Sequence, residues 1–209
     1  MGRRPLAVAV ALGPIALLVI LAFVDPDVTR RLVDDEGPVE WLQVAFLLLA
    51  AALGAMWVGR RARAGQPIAF EVVIVTLLLA LALGELELDR WLFGTKLIGP
   101  RFLFRPRHPV AWPWRVLVVL IGFGVPLAIA VYALTRLREV VRSGLAALGE
   151  PWGRLLFVGC ALFGMTNVFE KAVNRVHFVS HTFVEEALEL LATCCIAAAY
   201  LIRSDAPRR

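Results

Sequence analysis

His177, His181, Glu185 and Glu189 recur at intervals of four near the end of the chain. On a helix that spacing puts all four on one face. Two imidazoles so placed can reach one metal ion, and a carboxylate can complete its shell. The chemistry would be hydrolytic. A bound divalent metal such as zinc lowers the pKa of its water toward neutrality. His177, His181 and Glu185 would then be ligands, and Glu189 a base. The His-Glu-x-x-His pattern of metalloproteases is missing, because Phe178 follows His177. The plainer reading makes both histidines a helix start, or a short loop that meets lipid headgroups.

A second acidic group precedes Arg90. Glu85 and Asp89 are four apart and share a helix face, while Glu87 points elsewhere. With Glu170 they stand at the expected C-terminal ends of helices, where the macrodipole opposes negative charge. Glu189 lies two turns into the last expected helix, past any capping role. Glu85 or Asp89 is therefore expected within about one side-chain length of Glu189 or His181, the three acids forming a catalytic or ion-binding set. Ordinary ion pairs with Arg90, Lys171 and Arg175 explain Glu85, Glu87, Asp89 and Glu170 equally well. The dipole alone accounts for Glu36, Glu40 and Glu71 in first turns, and Thr182-Phe-Val-Glu185 has a capping-box pattern.

The elements that would position these groups are membrane helices. The chain of 209 residues is 60% hydrophobic, with a mean hydropathy of +0.77, beyond the usual apolar share of a soluble domain. Six segments are long enough to cross the hydrocarbon core: 6–24, 39–59, 68–88, 116–135, 154–169 and 182–202. The expected fold is an all-α integral membrane protein, a single polytopic domain over residues 1–209. Leu6–Val24 reads as a retained anchor, being too long for a signal h-region and ending without a small-residue cleavage site. Position 6 is Leu, which argues against myristoylation of Gly2. All six tryptophans fall at expected span ends, as interfacial belts require. Cys160, Cys194 and Cys195 fall inside spans as small buried hydrophobes.

Orientation follows the Arg/Lys bias. An N-in, C-in arrangement puts twelve of the 22 basic residues in the cytoplasm and thirteen of the 17 acidic ones outside. Most of the remaining cations belong to one segment, residues 89–115, which interleaves aromatic residues with Arg101, Arg105, Arg107 and His108. It is expected to be an interfacial loop between the third and fourth spans, with Arg101, Arg105 and Arg107 facing anionic lipid headgroups. The net charge of +5 is not a nucleic-acid signal, because no soluble surface carries a basic patch. Arginine so outnumbers lysine that the composition suits a GC-rich bacterial genome, and the expected location is the bacterial cytoplasmic (inner) membrane.

The late His-x-x-x-His is similar to that of membrane hydrolases related to alkaline ceramidases. Their further His, Asp and Ser positions on early helices have no counterpart: His108 is in a loop, and the first three spans hold no Ser. Three functional classes follow. The first is an accessory or structural membrane protein whose outward charges meet each other or another membrane subunit. The second is a metal-dependent enzyme acting on a lipid or lipid-linked substrate at the outer leaflet. The third, a proton or cation transporter, suits the one-sided charge least, since carriers place ion ligands near the midplane.

Overall fold

A computed structural model describes residues 4–25, 27–28, 32, 37–86, 111–173 and 181–204; within these, the side chains of 167–173, 181 and 182, among others, are outside the description. The described residues are helical, with no strand. Seven long helices stand among them: α1 (Arg4–Val24), α2 (Pro38–Arg63), α3 (Ala69–Glu85), α4 (Trp112–Thr135), α5 (Leu137–Leu148), α6 (Pro151–Val173) and α7 (His181–Ser204). Each of the six apolar segments falls on a helix, and α5 is an addition. The fifth segment, short by hydropathy at 154–169, belongs to a helix of 23 residues. Helix α4 starts at Trp112 and runs on through Pro126, so residues 112–115, expected within the interfacial loop, are helical, while 89–110 lie outside the described residues. Pro113 falls in its first turn, where a missing N–H costs little. Among the described residues, α2 is the one helix long and apolar enough to cross a membrane. Helices α5 and α6, bent by 109° at their break, add a second candidate if counted as one span.

Helix α7 is the axle of the bundle. It packs against α1, α2 and α6, and Ala192 to Leu201 are all buried. The reason is side-chain size. Ala192, Thr193, Cys194, Ala197, Ala198 and Ala199 are small enough for three neighbours to approach the helix closely. Helix α6 answers with Gly159, where an added Cβ would lie 2.6 Å from Ile196 Cγ1 and 2.8 Å from the Ala192 carbonyl. Helix α2 answers with Gly54, whose Cβ would lie 2.6 Å from Val75 and 3.1 Å from the Tyr200 ring.

Contacts at the two ends fix the helix directions. Ala7 packs with Ala198 and Leu201, and Leu18 with Leu190 and Cys194, so α1 is antiparallel to α7. Gln43 meets Glu186 and Trp57 meets Arg203, so α2 runs parallel to α7. A tight turn joins α2 to α3. Gly65 there adopts φ +66°, and its N–H bonds the Ala62 carbonyl, in the manner of a left-handed C-cap. Ile68 at the start of α3 makes no side-chain cap; Glu139 of α5 supplies one, its Oε1 accepting the Ala69 N–H at 2.9 Å. The start of α1, the α2–α3 turn, α5 and the end of α7 thus share one end of the bundle. The starts of α2 and α7 share the other.

Candidate functional site

At the end where α2 and α7 begin, Gln43 is 1% exposed and donates from Nε2 to Glu186 Oε2 at 2.9 Å and to the Glu186 carbonyl at 3.3 Å. Both helices contribute by register. Gln43 lies on the same α2 face as Val39, Leu47 and Ala50, all buried against the bundle. A buried amide in such a stripe needs a partner, and Glu186 provides two acceptor atoms. Glu189, Glu40 and Glu185 stand close enough for their charges to act on Glu186. Three carboxyl groups thus act on a fourth, Glu186, which holds the Gln43 amide, and each of the four is only partly exposed. Glu40, Glu185 and Glu189 each have interactions of their own. Such a site favours a cation, a proton or a cationic side chain.

Helix α7 opens at His181, so His181, Glu185 and Glu189 do fall on one helical face, as the four-residue spacing requires. Of these the structure describes the side chains of Glu185 and Glu189. The side chain of Thr182, which the capping-box pattern involves, lies outside the described residues. Glu85 is the last residue of α3, where the dipole argument put it, and it too has interactions. His177, Asp89, Arg101, Arg105, Arg107 and His108 lie outside the described residues, as does the side chain of His181. Among the described residues, no group of three or more His, Cys, Asp or Glu side chains is arranged to hold a metal ion. Arg115, expected at the edge of the interfacial loop, is buried in the first turn of α4.

The opposite end holds a polar cluster that periodicity alone did not reveal. Glu71 is 2% exposed and Arg203 is 5% exposed. Glu71 Oε1 accepts from Arg203 Nη2 at 2.6 Å and from Arg61 Nη1 at 2.6 Å. The Arg203 guanidinium lies 3.8 Å from the Trp152 ring centroid and 4.9 Å from that of Trp57, held between two indoles. Glu71 Oε2 and Arg203 Nη1 are buried and have no hydrogen-bond partner among the described residues, so the pairing rests on one shared oxygen. A first-turn position accounts for a carboxylate at 71 but not for its burial. The available signal was the coincidence of Trp57, Trp152 and Arg203 at helix ends expected on one side.

Comparison of the chain with protein-family models, with curated proteins and with solved structures finds no match.

Proposed function

We propose that this chain is a multipass protein of the bacterial cytoplasmic membrane, a six-span bundle with both ends in the cytoplasm. In this reading it is an accessory or structural subunit, and its extracytoplasmic acidic cluster receives a cationic group of a partner. The observation that carries the reading is the large apolar surface that the bundle leaves exposed. Leu17, Leu48, Met56, Leu83, Leu127 and Met165 are exposed, while Ala, Thr and Cys line the α7 seam, with Leu47, Leu78, Leu156, Ile196 and Tyr200 packed around it. A water-soluble monomer does not expose apolar surface on this scale, whereas small residues at helix contacts are what membrane packing selects.

The spacing of the two polar clusters supports it further. Gln43 and Arg61 on α2 are separated by roughly 27 Å at 1.5 Å per residue, close to the ~30 Å of a hydrocarbon core. Arg60, Arg61, Arg63, Arg136, Arg138, Arg142, Arg154 and Arg203 belong to the end that would face the cytoplasm, which agrees with the positive-inside rule. Glu40, Glu85, Glu185, Glu186 and Glu189 belong to the other, while Glu71 and Glu139 sit among the arginines.

The test is purification of the full chain from membranes, with tag accessibility at both termini. The expected result is cytoplasmic tags and a stoichiometric membrane partner that is lost in Glu186→Gln/Glu189→Gln. A bound metal that disappears in His177→Ala and His181→Ala would replace this reading with the outer-leaflet enzyme. Cation flux in liposomes, abolished by Glu189→Gln, would replace it with transport.

A further inference from the structure

We propose that α5 is an in-plane membrane anchor, seated on anionic phospholipid headgroups at the arginine-bearing end of the bundle. The inference rests on the membrane reading above and adds to it a site and a lipid class. It starts from the helix Leu-Arg-Glu-Val-Val-Arg-Ser-Gly-Leu-Ala-Ala-Leu at 137–148, whose circumference divides into three sectors at 100° per residue.

The first sector faces protein. Gly144 and Ala147 are buried and Val140 packs on the core, with Phe70 and Phe157 lying over Gly144. The second sector, Leu137, Val141, Leu145 and Leu148, forms a continuous apolar stripe, and all four side chains are exposed, Leu145 at 64%. The third sector carries Arg138 and Arg142, both exposed. Glu139 is the one acidic residue of this helix, and its carboxylate is held by the Ala69 N–H and by Arg136. Arg138 and Arg142 thus outweigh a single carboxylate that already has its own partners.

Between this edge and Pro67 lies a cavity of about 630 Å³, lined by Thr135, Arg136, Arg138, Arg142 and Ser143, and by Glu139, whose carboxylate is already engaged by the Ala69 N–H and Arg136. Its donors are the kind that phosphate oxygens accept from. The 109° bend between α5 and α6 lays α5 nearly across the bundle axis. If α6 spans the bilayer, α5 lies along its surface. An acyl layer beside a phosphate layer matches an apolar stripe beside a cationic edge, and charge complementarity selects an anionic lipid.

The test uses the full chain in vesicles of phosphatidylcholine, with and without phosphatidylglycerol. Spin labels are placed through Leu145→Cys, Ala146→Cys and, within α2, Leu49→Cys, in a Cys160→Ala background, since Cys194 and Cys195 are buried. Accessibility to oxygen and to a water-soluble nickel chelate gives the depth of each label. The inference expects Leu145→Cys to favour oxygen and Ala146→Cys to favour nickel. Phosphatidylglycerol should raise the docked fraction by on the order of fivefold per arginine, a gain lost in Arg138→Gln/Arg142→Gln. A Leu145 label that is nickel-accessible, or shielded from both reagents, while the Leu49 label is deep, overturns the anchor and spares the bundle. Indifference to phosphatidylglycerol overturns the anionic site. A nickel-accessible Leu49 label overturns the membrane reading itself, and the anchor with it.

Discussion

Removing the Glu71 carboxylate should destabilise the bundle more than removing either arginine that shares it. Glu71 Oε1 serves both guanidiniums at 2.6 Å. Glu71→Gln therefore leaves Arg203, 5% exposed, as a buried cation without its anion. Breaking a buried pair from one side costs about 3–5 kcal/mol. Arg61 is 30% exposed on its side chain and can turn to solvent, so it adds little. Arg203→Met leaves Glu71 still paired with Arg61; the loss is one charge-assisted bond, about 1.5–3 kcal/mol. Some of that returns as the thioether packs on the two indoles. Arg61→Met should cost least, about 1 kcal/mol, because its bond is partly solvated. The double variant Glu71→Leu/Arg203→Met removes both buried charges and should fall well below the sum of the single costs. Equilibrium unfolding in mixed micelles measures all four, and Trp57 and Trp152 beside the cluster provide the fluorescence signal. A Glu71→Gln cost under about 1 kcal/mol, or equal costs at Arg61 and Arg203, would show that the cluster is hydrated and the burial argument wrong.

Other outcomes follow from the same geometry. Gly159→Ala should cost about 1–3 kcal/mol in the same assay, since its Cβ meets the α7 backbone at Ala192, which cannot rotate away; Gly164→Ala, with nothing within 4 Å, is the neutral control. Gln43→Leu should destabilise by about 1–3 kcal/mol, because Glu186 loses its donor while remaining part-buried. Gly65→Ala should cost about 1 kcal/mol through its positive φ. Acid should weaken the α3–α5 junction. The Ala69 N–H, and then Arg136, hold the Glu139 carboxyl below its usual 4.5 against a smaller opposing effect of burial. A lowered folded-state pKa means that the stabilisation is full above 4.5 and is lost as pH falls through the folded value. Stability curves of the parent and of Glu139→Gln, run downward from neutral pH, should therefore converge below 4.5; parallel curves would remove the cap from the account.

Much of the fold was legible because apolar runs of this length favour helix, whatever surrounds them. The six apolar segments each lie on a helix, and Pro113 and Pro151 mark true helix starts. Helix α5 was not legible by that route, since its twelve residues mix Arg138, Glu139 and Arg142 with leucines. A polar average hid an amphipathic face that only a period of 3.6 residues exposes. Of the late stripe from His177 to Glu189, the described helix α7 carries the part from His181 onward, and His177 lies outside the described residues. Gln43 was passed over because one amide in an apolar run carries no periodic signal. Its importance lies in what another helix brings to it.

Composition and local pattern by themselves determined that this chain is helical and where its six apolar helices lie. Those properties depend on side chains near in sequence and on transfer energies that each segment carries alone. Tertiary structure decided which helix is central, that Gln43 and Glu186 bond across 143 positions, and that Arg203 closes on Glu71 across 132. Such pairings depend on close approach of backbones at Gly54, Gly159 and the alanines of α7. Small residues contribute almost nothing to a hydropathy profile, yet in lipid they set which helices can touch.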